Sequence, residues 1–168
     1  MDDKSPWIEV SKLKLHPNNP NEHPSEQLDK IAKNIKELGW GRPILISKDF
    51  YIIAGHGAFI AATEKLGMDK VPFRQREYLH DSSEAIALMI ADNKLSEESY
   101  WNYPKLEELS IDLEMQEFDL SLTGFEIDEL VSPKVDDIVP DEEPEFDEDI
   151  AKSVETIKCP ECGYEFPK

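Results

Sequence analysis

Residues Tyr51 to Gly67 read YIIAGHGAFIAATEKLG, an apolar strand that runs into Gly55-His56-Gly57 and opens directly onto a short alanine-rich helix. A helix start carries unpaired backbone N–H groups and a partial positive charge, and glycine lets a phosphate come close to the main chain. The stretch is therefore either an anion cradle or a tight strand-to-helix turn that needs glycine only for its backbone angles. His56 either donates to a phosphate or caps the helix, expected from about Ala58 to Leu66. A histidine with an ordinary pKa adds no fixed charge there near pH 7.

Outward from this turn, Pro43 to Ser47 (PILIS) and Tyr51 to Ala54 read as short strands joined by Lys48-Asp49, and Val71 to Glu77 as another. Trp7 to Val10 is the first strand, and the loop after it holds three prolines and three asparagines up to Pro24. Leu28, Ile31, Ile35 and Leu38 recur at helical spacing, with Ser25 as the expected N-cap and Gly39 placed to end the helix in a left-handed conformation. A second helix is expected from Ser82 to about Leu95, packing through Ala85, Leu88 and Met89. Pro104 to Leu109, Ile111 to Met115 and Ile127 to Val131 read as separate short helical pieces. Trp101, Phe118, Leu120, Leu122 and Phe125 are available to pack on the main domain.

The chain has 168 residues, 39% of them hydrophobic, enough for one core and an appendage. No run of eighteen apolar residues appears, and MDDKSPWIEV has neither the basic nor the apolar region of a signal peptide, so a soluble, cytoplasmic protein with no membrane partner is expected. The net charge of -19 is unevenly spread. Residues 1–96 carry 14 acids and 13 Lys or Arg, while residues 97–149 carry 20 acids and 2 bases. A nearly neutral N-terminal domain can still offer phosphates a local basic patch, whereas the acidic stretch repels DNA within a Debye length. Residues 132–149 lack apolar periodicity and read as an acidic linker.

Four further groups carry possible chemistry. Asp92 and Asn93 can ligate Mg²⁺ through oxygen, with Lys94 meeting phosphate as a point charge; alternatively, the trio is a helix C-terminus with Asn as a left-handed cap. Arg74, Arg76 and Tyr78 alternate along a strand, and Lys30, Lys33 and Lys36 form a possible basic stripe on the first helix; both sets are either phosphate contacts or solvated faces. Cys159-Pro-Glu-Cys162-Gly163 has the spacing of a zinc knuckle but supplies two of the four ligands Zn²⁺ wants, the others coming from a second chain, a partner or a histidine. A redox thiol pair and a vestigial knuckle are the other readings. No nucleophilic triad can be assembled.

Taken in order, WIEVSKLKLHPNNP, LDKIAKNIKELGWGRPILI, IIAGHGAFIAATEKLGMDKVPF and IADNKL resemble the blocks of the ParB-like N-terminal domain, in the form met in phage and mobile-element proteins. The resemblance covers about residues 7–96, and FDLSLTGF, residues 118–125, resembles the tail of members associated with DNA methyltransferases. It implies an α/β fold of the ParB/sulfiredoxin type, a small mixed sheet with flanking helices around a nucleotide-sized cleft. The organisation expected is a ParB-like domain at 1–96, a helical extension at 97–131, an acidic linker at 132–150 and a CxxC tail at 151–168.

Relatives of that fold include CTP-dependent partition proteins, free-serine kinases, sulfiredoxins and domains described as nucleases. They share a phosphate site rather than a reaction. The resemblance implies that Gly55, His56 and Gly57 form the phosphate loop, that Asp92 and Asn93 approach a metal and triphosphate, and that Arg42 contacts ligand. Mg²⁺ with CTP or ATP is the implied cofactor set. The family signature usually has Arg after the second glycine; Ala58 lacks that fork of donors, which Arg74 or Arg76 would have to replace. The sulfiredoxin cysteine has no counterpart at residues 55–57.

The reading that follows is a module that binds nucleotide or DNA phosphate without strong catalysis, accessory to DNA modification, partition or packaging. A DNA methyltransferase or a second copy is its expected partner. The alternatives are a Mg²⁺-dependent nuclease or nucleotide hydrolase using Asp92, and an acidic protein-interaction adaptor. No helix-turn-helix follows to read a DNA site.

Overall fold

The computed structural model describes residues 5–126, 129–130, 156–158, 160 and 162–167. The chain divides into two units, Met1–Ser132 and Pro133–Lys168. The first is built on a four-stranded mixed sheet in the order β1-β4-β2-β3, with β1 Trp7–Glu9, β2 Ile44–Ile46, β3 Ile52–Ala54 and β4 Lys70–Gln75. Only the β2–β4 pair is parallel; β1–β4 and β2–β3 are antiparallel. The mixed sheet and flanking helices agree with the fold class expected from the sequence.

Alternation along two short strands separates two apolar layers, because successive side chains leave opposite faces of a sheet. Ile44, Ile46 and Ile52 point into a core with Ile8, Leu13, Phe59, Ala62 and Val71. Leu45 and Ile53 point the other way, where Ile53 meets Ala85 and Met89 of α3, Ser83–Glu97. Thus α3 covers one face and α2, His56–Ile60, the other. A third helix, α1 at Ser25–Leu38, packs on α2 and its continuation through Leu28, Ala32 and the fully buried Ala61.

Beyond Ile60 the helix widens into a π-helical turn, Ala61–Lys65. Thr63 supplies a cause: its hydroxyl donates to the carbonyls of Phe59 (2.9 Å) and Ile60 (3.2 Å), competing with the ordinary ladder.

Several local expectations are corrected. Pro24, not Ser25, is the α1 N-cap; Ser25 is the first helical residue and its hydroxyl accepts from Lys65 at 2.9 Å. Gly39 ends α1 with φ 84 but ψ -170, an extended mirror conformation rather than the left-handed one, and still a glycine conformation. The turn helix starts at His56, two residues before the expected Ala58. Residues 104–115 are not two pieces but one helix, α4 Tyr103–Met115, capped by the Asn102 side chain. Ile127, Asp128 and Val131 lie outside the described residues, as does all of the acidic linker at 132–150.

The end of the first unit returns to α1. Lys30 pairs with Glu126 at 2.7 Å, Lys33 with Asp119 at 2.8 Å, and Asn34 donates to the Leu122 carbonyl at 2.9 Å while Leu122 is buried. In the second unit, β5 Thr156–Lys158 and β6 Glu165–Pro167 form an antiparallel hairpin. Among the described residues no helix is long and apolar enough to cross a membrane.

Candidate functional site

At the end of β3 the chain turns on Gly55, whose φ of 91 and ψ of 25 are left-handed and suit glycine. The first intrahelical bond runs from Phe59 N–H to Gly55 C=O at 3.0 Å, so the N–H groups of His56, Gly57 and Ala58 are those a helix start leaves without an intrahelical acceptor. Gly57 is needed for space. A Cβ there would lie 3.0 Å from His23 Nδ1 and 3.3 Å from Ile31 Cδ1, so the missing side chain lets the loop and α1 close over the turn.

These residues border a cavity of about 340 Å³, within the size range of small-molecule sites. Besides the end of β3 and the turn, Ile53 to Ala58, its walls come from four other parts of the chain: Asn21 and His23 of the Pro-Asn loop, Gln27 and Ile31 of α1, the stretch from Arg42 to Ile44, and Asp92, Asn93 and Ser96 of α3. Of the expected site residues, Gly55, His56, Gly57, Arg42, Asp92 and Asn93 all line it.

Lys94 turns instead to Glu97, 3.0 Å away. The helix runs on to Glu97, so Asn93 is helical and not the left-handed cap considered from the sequence, while Lys94 lies in the last turn, as that reading had it. One turn apart, Asp92 and Ser96 share a face. Asn93 donates to the Met89 carbonyl at 2.9 Å and accepts from Asn21 at 2.8 Å, which holds its amide oxygen toward the loop. Arg42 Nη1 lies 3.5 Å from Asp92 Oδ1.

His56 contributes through its backbone. Its ring is buried, Nε2 has no hydrogen-bond partner, and burial pushes its pKa down to about 4, with the charges of His23 and His16 adding to the effect. It does not cap the helix with its side chain. The arrangement can offer an anion backbone N–H groups and the Arg42 guanidinium, but not a charged His56 ring at neutral pH.

Arg74 and Arg76 are exposed and do not line the cavity. Lys30 and Lys33 are engaged by residues 119–126, and Lys36 lies near Glu37 at 3.8 Å. Cys162 is exposed with a free thiol; Cys159 lies outside the described residues. Among the described residues no three His, Cys, Asp or Glu side chains converge as a metal-ligand group.

Sequence reasoning missed Asn21, His23, Gln27, Ile31 and Ser96 as cavity residues. For the helical ones a signal existed, since Gln27 and Ile31, like Asp92 and Ser96, are four apart on one helix face. For Asn21 and His23 the Pro-Asn loop shows composition but not direction.

No family model matches the chain. It is 41% identical over 63 residues to the ParB-like nuclease domain-containing protein YnaK of Escherichia coli (strain K12), an alignment spanning 38% of this chain and 71% of that protein. With a cavity of this kind beside a mixed sheet and that degree of identity, the chain belongs to the family of ParB-like domain proteins. Its structure is similar to the C-terminally truncated chromosome-partitioning protein ParB from Caulobacter crescentus complexed with CTP-gamma-S. The TM-score is 0.60 and the identity 25%, over 75% of this chain and 74% of that one.

Proposed function

We propose that the cavity binds a nucleoside triphosphate, CTP before ATP, with its phosphates on the Gly55–Ala58 turn, and that the module acts without strong catalysis. The observation that carries this is the convergence, on one cavity, of a glycine-bounded helix start, an arginine and an acid-amide pair from distant parts of the chain. The CTP analogue held by the Caulobacter partition protein supports the choice of nucleotide.

Asp92 and Asn93 fit Mg²⁺ as oxygen donors, an ion that takes one or two protein ligands and completes its shell with phosphate oxygens and water. When bound, Mg²⁺ would neutralise phosphate charge. Gly55, His56, Gly57 and Ala58 orient the phosphates through backbone N–H groups, and Arg42 supplies a fixed positive charge. Ala58 offers no side-chain donor to charge developing in a transition state, which favours binding over turnover.

Within this proposal the loaded domain serves DNA modification, partition or packaging, with DNA, a DNA methyltransferase or a second copy as partner. A Zn²⁺ ion on Cys159 and Cys162, completed by ligands from another chain, is proposed for the tail; zinc analysis of protein purified without chelators tests it. The test of the nucleotide reading is thermal melting of the full chain against a nucleotide panel with Mg²⁺. A rise in Tm with a triphosphate supports binding, and no rise with any nucleotide removes it.

The competing reading is a nuclease or nucleotide hydrolase, favoured by the position of Asp92 in the cavity and by the name of the Escherichia coli relative. Turnover of plasmid, CTP or ATP with Mg²⁺ that disappears in Asp92→Ala would establish it.

A further inference from the structure

Among the described residues that line the cavity, Arg42 is the one lysine or arginine and Asp92 the one carboxylate, and they face each other at 3.5 Å. We infer that Asp92 is a built-in competitor for Arg42, an internal anion that a ligand phosphate must displace. The inference rests on the anion-binding reading of the cavity given above and adds a role for Asp92 in setting how tightly the cavity holds an anion.

The geometry suits exchange. Arg42 stands just before Pro43, which biases its backbone toward an extended form, and β2 begins at Ile44, so its Cα is tethered while its side chain stays 74% exposed. Asp92 is 25% exposed on α3, a helix anchored by Ala85 and Met89. Their contact is a single long one rather than the short two-point fork an arginine makes with a carboxylate in good geometry. Such a pair breaks easily and reforms easily.

The test is calorimetric titration of inorganic triphosphate into the full chain in EDTA, for wild type, Asp92→Asn, Arg42→Gln and the double variant, with melting curves confirming that each is folded. Asp92→Asn is expected to bind roughly two- to fivefold more tightly than wild type, as an exposed ion pair of ordinary strength implies. In the Arg42→Gln background that gain should vanish, the non-additivity expected of a pair acting as a unit. Weaker or unchanged binding by Asp92→Asn overturns the inference alone. The same gain with Arg42 absent also overturns it, since plain removal of a negative charge then suffices. If none of the four folded proteins binds inorganic triphosphate, both the anion-binding reading and this inference fail.

Discussion

Gly55–Ala58 and the Arg42–Asp92 pair line one cavity as two walls, and they are built differently. The first wall is backbone, fixed by a buried strand and by Gly57, where a Cβ would come within 3.0 Å of His23. The second is side chain, with Arg42 largely exposed and loosely paired. Substitutions on the first wall should therefore disturb folding and binding together, while those on the second should change binding and leave stability alone.

The largest expected effect concerns His56, the buried ring beneath the first wall. Its folded pKa of about 4 lies below the ordinary value of 6.5, so the unfolded chain takes up a proton first as pH falls. The stabilisation is complete above pH 6.5 and is lost progressively toward pH 4, by at most on the order of 3 kcal/mol. His56→Met should flatten the pH dependence of urea midpoints in that window, and an unchanged slope would break the picture of a buried neutral ring. Asp49 titrates in a separate window. Desolvation pushes its pKa up, but hydrogen bonds from Ser47 and His80 outweigh this and hold it at about 2, so its stabilisation fades only below the ordinary value of 3.8.

Next, Gly57→Val should push against His23 and Ile31, costing about 1–3 kcal/mol in chemical denaturation and abolishing triphosphate binding. Arg42→Gln sharpens the contrast: stability within about 0.5 kcal/mol of wild type but roughly tenfold weaker binding, worth about 1.4 kcal/mol. Equal loss of stability in the two variants would erase the distinction between the walls. The smallest effect is expected for Asn21→Ala, which removes an exposed 2.8 Å hydrogen bond to Asn93 and should cost no more than about 1 kcal/mol, read from melting and titration together.

The sheet and the turn were legible because their signals are local. Alternation at Ile52 and Ile53 marks a strand buried on both faces, and a left-handed Gly55 before a helix is a short-range requirement. Continuity of α4 was not legible: Ser110 sits mid-helix between apolar residues and looks like a break, yet its hydroxyl bonds the Leu106 carbonyl at 2.8 Å within the helix. Lys30 and Lys33 looked like a free basic stripe because the acids that engage them lie far along the chain, at Glu126 and Asp119. The cavity's loop wall escaped notice for the same reason, since Asn21 finds Asn93 only through the fold.

That the cavity is a nucleotide site is tested most directly by calorimetric titration of CTP with Mg²⁺ into the full chain, with Gly57→Val as control. Saturable one-to-one binding by the wild type, lost in the variant, is the expected result. Absence of binding heat with CTP, ATP and inorganic triphosphate alike, from protein shown to be folded, would contradict it.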